Sequence, residues 1–230
     1  MCKCVCNFAH NISTQETKFQ VMSRIVKYYN RGRHPRGFWG RRALLSMNSK
    51  RHAALPEWAL DGFEIANGSQ MLDVGCGGGA NMARLLKLCP EGRVTGLDFS
   101  TLALEIAADY NNNAIVDKMC TVVGGNAVQI PLAKDIFDVA IAFETIYYWA
   151  SIERGLVEMH RVLKPGGTVL IANELDGLSP NDQELARAVG GMRVYTPDEI
   201  EQALAEAGFT GITRKHDEQR HMLCVTARKP

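Results

Sequence analysis

The chain has 230 residues, 46% of them hydrophobic and 22% charged, with a net charge of +1. That is enough chain for one well-buried core, and no run of about 18 apolar residues occurs, which argues against a membrane-spanning helix. No charged leader with an apolar core and a small-residue cleavage site is visible, so a cytoplasmic location is expected.

The charge is unevenly placed. Through Arg51 there are eleven Lys and Arg residues against a single acid, Glu16, giving +10, and the remainder carries −9. Such a split admits contact with nucleic acid or an anionic membrane. The simpler expectation is a solvated basic face docked on an acidic body, because aromatic residues are only modestly interleaved with the charges (Tyr28, Tyr29, Phe38, Trp39).

Seven cysteines are present, an odd number. Cys76, Cys89, Cys120 and Cys224 are scattered through apolar patterns, which suits reduced, buried thiols rather than a disulfide framework. Cys2, Cys4 and Cys6 have one-residue gaps, which do not match the spacing of zinc ligands. Residues 1 to about 17 lack periodicity and are expected to be a disordered tip.

In chain order, 19–29 reads as an amphipathic helix and 31–37, rich in Arg, Gly and Pro, as a loop. Segments 38–47 and 52–60 read as short helices, with Pro56 consistent with a helix start. Residues 1–64 are thus expected to be a basic extension and helical lid, and 65–230 a second domain. From there strands and helices alternate: strand 71–75, helix 80–88, strand 93–98, helix 101–110, strands 119–124 and 137–143, helix 151–163, strand 168–174, helix 197–207. The alternation implies a parallel sheet covered on both faces. Two closing strands, 210–216 and 221–228, are joined by a tight polar turn and must be antiparallel. Residues 176–192 read as a loop and short helix. His160 reads as a structural helix position, and His216 and His221 are expected in solvent.

The most informative run is Met-Leu-Asp-Val-Gly-Cys-Gly-Gly-Gly-Ala at 71–80, with Asp98 closing the next strand. Gly75, Gly77 and Gly79 lack a Cβ and let the backbone turn tightly and approach a ligand, and the helix that follows offers free N–H groups. Asp98 lies where doubly wound folds hold a ribose diol; its alternative is a helix N-cap before Thr101. Gly75-x-Gly77-x-x-Ala80 also fits the loose dinucleotide pattern. Three features favour S-adenosylmethionine instead. Asp73 inside the strand is costly to bury unless something positive meets it, and a methionyl ammonium would. Phe99 offers an aromatic face beside Asp98. Leu163-Lys164-Pro165-Gly166-Gly167 precedes the fifth strand.

Taken together, Leu-Asp-Val-Gly-Cys-Gly-Gly-Gly, Gly-Leu-Asp-Phe-Ser, Phe-Asp-Val-Ala-Ile-Ala and Leu-Lys-Pro-Gly-Gly resemble the class I (Rossmann-like) S-adenosylmethionine-dependent methyltransferases, over about residues 65 to 228. The resemblance implies an α/β fold with a doubly wound, mostly parallel seven-stranded sheet of order 3-2-1-4-5-7-6, its last strand antiparallel, under an N-terminal helical cap. It implies S-adenosylmethionine as cofactor and S-adenosylhomocysteine as product. The cofactor residues expected are Asp73, Gly75, Cys76, Gly77, Gly79, Asp98, Phe99, Asn126, Ala127 and Phe143. Related enzymes commonly have an acid in the place of Asn126, whose carbonyl can still accept from an adenine amino group.

Methyl transfer from a sulfonium depends mainly on placement and exclusion of water. An acidic acceptor would also need a base. Glu144 is the leading candidate, with Tyr147 beside it, in the run 143–149 at the carboxyl end of the sheet, where such folds bind ligands. Tyr148, Trp149, Asn173 and Glu174 are acceptor-site candidates. Metal-ligand spacing is absent, so no metal is expected. The expected activity is methylation of a small molecule. Methylation of RNA or DNA is the alternative, motivated by the basic N-terminal region, although Phe-Glu-Thr-Ile after the fourth strand differs from the Asn-Pro-Pro-Tyr type used on exocyclic base nitrogens. A nicotinamide oxidoreductase and a non-catalytic binding subunit are weaker readings. Oligomeric state is not legible.

Overall fold

Three helices precede the sheet in the computed structural model, which describes residues 15–49 and 52–230. They are α1 (Gln15–Arg33), α2 (Gly37–Met47) and α3 (Ala54–Leu60). Helix α1 is longer than expected at both ends. Residues 15–17, assigned to the disordered tip, begin it, and Arg31-Gly32-Arg33, assigned to a loop, finish it. The break falls one residue later, at His34-Pro35, because proline disfavours helical backbone in the residue before it. Gly32 is tolerated inside α1 because a Cβ there would lie 2.6 Å from Met47 Cε, so the missing side chain lets α2 approach. Cys2, Cys4 and Cys6 lie outside the described residues.

Seven strands of 5 to 11 residues then build the sheet. Strand β1 (Gln70–Val74) is central, and Met71, Leu72 and Val74 are fully buried. A continuous apolar run is what a strand covered on both faces requires, and each such side chain contributes about 1.5–3 kcal/mol on leaving water. Strands β2 (Arg93–Asp98) and β4 (Phe137–Phe143) pair with β1 in parallel, β3 (Cys120–Gly124) with β2, and β5 (Leu163–Asn173) with β4. Strand β7 (Met222–Arg228) runs antiparallel to β5 and to β6 (Thr210–Asp217). The seven-stranded order is β3-β2-β1-β4-β5-β7-β6, as anticipated.

Helices α4 (Ala80–Leu88), α5 (Thr101–Tyr110), the short α6 (Asn112–Val116), α7 (Ile152–Val162), α8 (Pro180–Ala188) and α9 (Pro197–Glu206) make the connections. Their starts are legible in their chemistry. Ser100 and Ser151 accept from the N–H groups of Ala103 and Arg154, and Thr196 with Glu199 forms a capping box behind Pro197. Helix α6 and a single 3-10 turn at Ile146–Tyr148 had no sequence signal.

Two expectations need correction. Strand β5 starts at Leu163 rather than 168. Leu163 pairs with Phe137, and the Gly166-Gly167 turn keeps its ladder because Gly166 N donates to Lys229 O and Lys229 N donates to Gly167 O. His216 and His221 are not free in solvent: His216 Nε2 lies 3.0 Å and His221 Nδ1 3.2 Å from Oδ2 of buried Asp176. The turn between β6 and β7 folds back onto the loop after β5, and that carboxylate draws both rings to it. Cys76, Cys89, Cys120 and Cys224 are buried free thiols. No described helix is long and apolar enough to cross a membrane.

Candidate active site

The loop after β1 is held against the end of β2. Gly75 N and Cys76 N both donate to Leu97 O, at 2.7 and 3.0 Å, and Gly77 N donates to Asp98 Oδ2 at 3.0 Å. The three glycines have different work. At Gly75 (φ +81°) a Cβ would lie 2.5 Å from Thr145 Cγ2, so the room is taken by the loop after β4. At Gly79 (φ +85°) a Cβ would lie 2.6 Å from Asn111 Nδ2 and 2.8 Å from Ala107 Cα, so close packing of α5 explains it. Gly77 (φ +50°) faces open space, with only a Leu44 methyl near, at 3.9 Å, and it borders the cavity.

That cavity has a volume of about 1070 Å³ and mostly apolar walls. The sheet side contributes Gly75, Cys76, Gly77, Asp98, Phe99 and Phe143, and the loops after β3, β4 and β5 contribute Asn126, Ala127, Glu144, Tyr148, Trp149 and Glu174. The roof comes from the N-terminal helices, with Ile25, Tyr29, Leu44 and Met47. Asn48 Nδ2 donates to Gly78 O at 2.6 Å, fastening the end of α2 to the glycine loop.

Asp98 accepts from Gly77 N through Oδ2 and from Ser100 N through Oδ1. The N-cap of α5 is Ser100, not Asp98. A carboxylate has about four lone-pair directions, so Asp98 keeps acceptor capacity toward the cavity. Burial pushes its pKa up, against the pull of the loop N–H groups. Asp73 lies beneath the loop, outside the lining, with Oδ2 fully buried and without a hydrogen bond. Burial first, then the charge of Asp98, raises its pKa to about 7, with Arg84 opposing. Among the described residues neither acid forms an ion pair. Two buried carboxylates beside an open glycine loop suit a cofactor that brings hydroxyls and positive charge. The residues therefore fit S-adenosylmethionine, whose diol would meet Asp98 and whose cationic end would relieve the acidic pair.

Glu144 ends β4 with φ +60°, a left-handed conformation that non-glycine residues adopt uncommonly. Its Oε1 accepts from Glu174 N and from the Tyr147 hydroxyl, the latter at 3.0 Å, while Leu175 N donates to that hydroxyl at 2.9 Å. Burial, then the Glu174 charge, drives its pKa well above the usual carboxylate range. Tyr147 is fully buried behind Glu144 and does not line the cavity. Asn173 is likewise buried outside the lining, and both polar atoms of its amide lack hydrogen bonds. Asn126 reaches the cavity, but its Oδ1 accepts from Val128 N at 3.1 Å in a local turn. Phe99 is 57% exposed, with its ring edge-on to His34. Thr145, Asn48 and the residues of α1 that form the roof were not identified from sequence. Thr145 sits beside a recognised candidate, whereas the roof residues follow no motif spacing.

A mostly parallel sheet whose strand order switches between β1 and β4, with a glycine loop and an acid at the ends of β1 and β2, defines the Rossmann-like class of adenosine-cofactor proteins. Residues 72–171 match the methyltransferase-domain family. The chain is 34% identical to the 24-methylenesterol C-methyltransferase 2 of Arabidopsis thaliana over 110 residues, covering 48% of this chain and 30% of that one. It is 24% identical to a sterol 4-C-methyltransferase of Caenorhabditis elegans, covering 88% of this chain and 62% of that one. A methyltransferase structure from Aquifex aeolicus, described as S-adenosylmethionine-dependent, superposes with a TM-score of 0.68 at 23% identity, over 81% of this chain and 97% of that one. The chain thus spans about a third and under two thirds, respectively, of the lengths of these two curated relatives. With the strand order, these findings give the chain a match to the methyltransferase-domain family over residues 72–171 on a Rossmann-like fold, and its likeness is to the class I S-adenosylmethionine-dependent methyltransferases.

Proposed function

We propose that the protein transfers a methyl group from S-adenosylmethionine to a small, largely apolar acceptor held beneath α1 and α2. The carrying observation is the single cavity of about 1070 Å³ that joins Asp98 and the glycine loop to Glu144, Tyr148 and Trp149 under a mostly apolar roof. Pockets for one drug-sized ligand span roughly 300–1,000 Å³, so this volume has room for cofactor and acceptor together. The sterol substrates in the relatives' names support an apolar acceptor.

The cofactor supplies an electrophilic methyl on a sulfonium. Asp98 would accept from the ribose hydroxyls, Phe99 and Ala127 would border the adenine, and Gly77 leaves its backbone open to the ligand. Ile25, Leu44 and Met47 keep water from the acceptor. Glu144 takes the acceptor's proton at Oε2, because Oε1 already accepts two hydrogen bonds. A base whose pKa lies near working pH is the effective kind, and burial moves Glu144 in that direction. Helices α1, α2 and α3, which contribute lining residues, act as the lid of this site.

The test is incubation with methyl-labelled S-adenosylmethionine and cell extract, followed by fractionation into small molecules, lipid, protein and nucleic acid. Label in the small-molecule or lipid fraction, lost with Asp98→Ala, is expected. Label in nucleic acid would overturn the acceptor class. Wild-type affinity of Asp98→Ala for S-adenosylhomocysteine would overturn the site.

A further inference from the structure

Helix α2 has two unlike faces. Gly40, Ala43 and Leu44 are buried, with Leu44 packed against Ala103 and Ile106 of α5. The opposite arc carries Arg41, Leu45, Phe38, Arg42 and Trp39, all exposed. Phe38 is 66%, Trp39 57% and Leu45 49% accessible, three large apolar side chains within eight residues. Contiguous exposed apolar surface marks an interaction site more often than chance.

The charges on the arc and on the neighbouring end of α1 are positive, and one acid, Asp109, faces Arg41. Arg31 Cζ stands 4.9 Å from the Trp39 ring centroid and Arg42 Cζ 5.9 Å from that of Phe38, and the two rings meet edge to face at 5.4 Å. Among the described residues Arg31, Arg36 and Arg42 form no ion pair, and Arg41 meets only the exposed Asp109, at 3.6 Å. In sequence the charge is split, +10 through Arg51 and −9 beyond it, and exposed Arg31, Arg36, Arg41 and Arg42 are the share of the positive part that this face presents to an anionic surface.

From this face we infer that the protein docks reversibly on anionic lipid bilayers through the α2 arc. Trp and Phe favour the boundary between headgroups and acyl chains, where an apolar body can be buried. A short helix with aromatic and apolar residues flanked by arginines lies flat in that boundary, adding apolar burial to attraction by anionic headgroups. A nucleic acid would satisfy the arginines but give Leu45, in the middle of the arc, nothing to bury against. The other side of the same helix supplies Leu44 and Met47 to the cavity roof. Docking therefore brings that roof to the lipid, the phase in which an apolar acceptor is dissolved. The inference concerns binding and stands apart from the proposed reaction.

The full-length protein is sedimented with vesicles of phosphatidylcholine alone and of phosphatidylcholine with phosphatidylglycerol in equal parts. Binding to the anionic vesicles only, weakening as salt rises, is expected. Arg31→Gln and Arg42→Gln should each weaken it roughly fivefold, and Phe38→Ala with Trp39→Ala should weaken it at least tenfold. S-adenosylhomocysteine binding by each variant, expected unchanged because none of these residues lines the cavity, shows that the variants are folded. Equal binding to both vesicles, absence of binding, or variants that bind like wild type would overturn the inference. So would tighter binding to an RNA or DNA oligonucleotide than to anionic vesicles.

Discussion

Gly79→Ala and Gly77→Ala should fail in opposite ways, although the glycines are two residues apart in one motif. At Gly79 a methyl group adopts φ +85° and meets Asn111 Nδ2 at 2.6 Å, Ala107 Cα at 2.8 Å and Ala107 Cβ at 3.0 Å. Left-handed backbone costs a non-glycine residue about 1–2 kcal/mol, and overpacking a close contact adds about 1–3 kcal/mol. The expected loss is about 2–5 kcal/mol, a large part of a domain's stability, or roughly 5–15 °C in Tm. At Gly77 the methyl group meets only a Leu44 methyl, at 3.9 Å, so the backbone term of about 1 kcal/mol stands almost alone. The assay pairs urea unfolding with S-adenosylhomocysteine titration by calorimetry. Gly79→Ala should lower stability while the folded fraction keeps near wild-type affinity, and Gly77→Ala should do the reverse. Asn111→Ala alone should also lower stability, because the buried amide donates to Gly79 O at 3.0 Å and Ala107 O at 2.9 Å. A Gly79→Ala protein within about 1 kcal/mol of wild type, or one that is stable but has lost cofactor affinity, would refute the division of labour.

Three further outcomes follow from the buried acids and the roof. Asp73 has a folded pKa of about 7 against 3.8 when free. The apoprotein should be most stable below about pH 4 with respect to this group, and should lose up to about 4 kcal/mol of stability as pH rises through 7. Asp73→Asn should flatten that slope in thermal unfolding measured from pH 4 to 8; an unchanged slope would remove Asp73 as its source. The Tyr147 hydroxyl stabilises ionised Glu144 through the bond to Oε1, so Tyr147→Phe should move the rising limb of the pH–rate profile to higher pH, which a purely structural loss would not do. Asn48→Ala breaks the bond to Gly78 O and should speed release of S-adenosylhomocysteine several-fold in stopped flow, with little change in Tm.

The sheet was legible because its signals are local and repeated. Buried apolar runs and capping serines each fix an element within a few residues, whereas Pro165-Gly166-Gly167, read as preceding a strand, lies inside β5. The glycine loop and Asp98 were legible because their chemistry is carried by spacing in one short segment. Lining was not. Tyr147 and Asn173 lie in the same runs as Glu144 and Glu174, and only the turn after β4 and the pleat of β5 decide which side chains face the cavity. The lid was harder still, since α1 contacts the site through residues with no pattern of their own. The histidines were misplaced because Asp176, 40 positions before His216, draws them in.

The bond from Asn48 to Gly78 has a kinetic meaning. It is one of several contacts tying the roof to the cavity floor, and S-adenosylhomocysteine held there would leave faster once the end of α2 lifts. Under the proposed function, turnover would be paced by the breathing of that helix as well as by the chemistry beneath it. A protein resting on lipid by the outer face of α2 would have its exchange rate set by the fluidity of the surface under it.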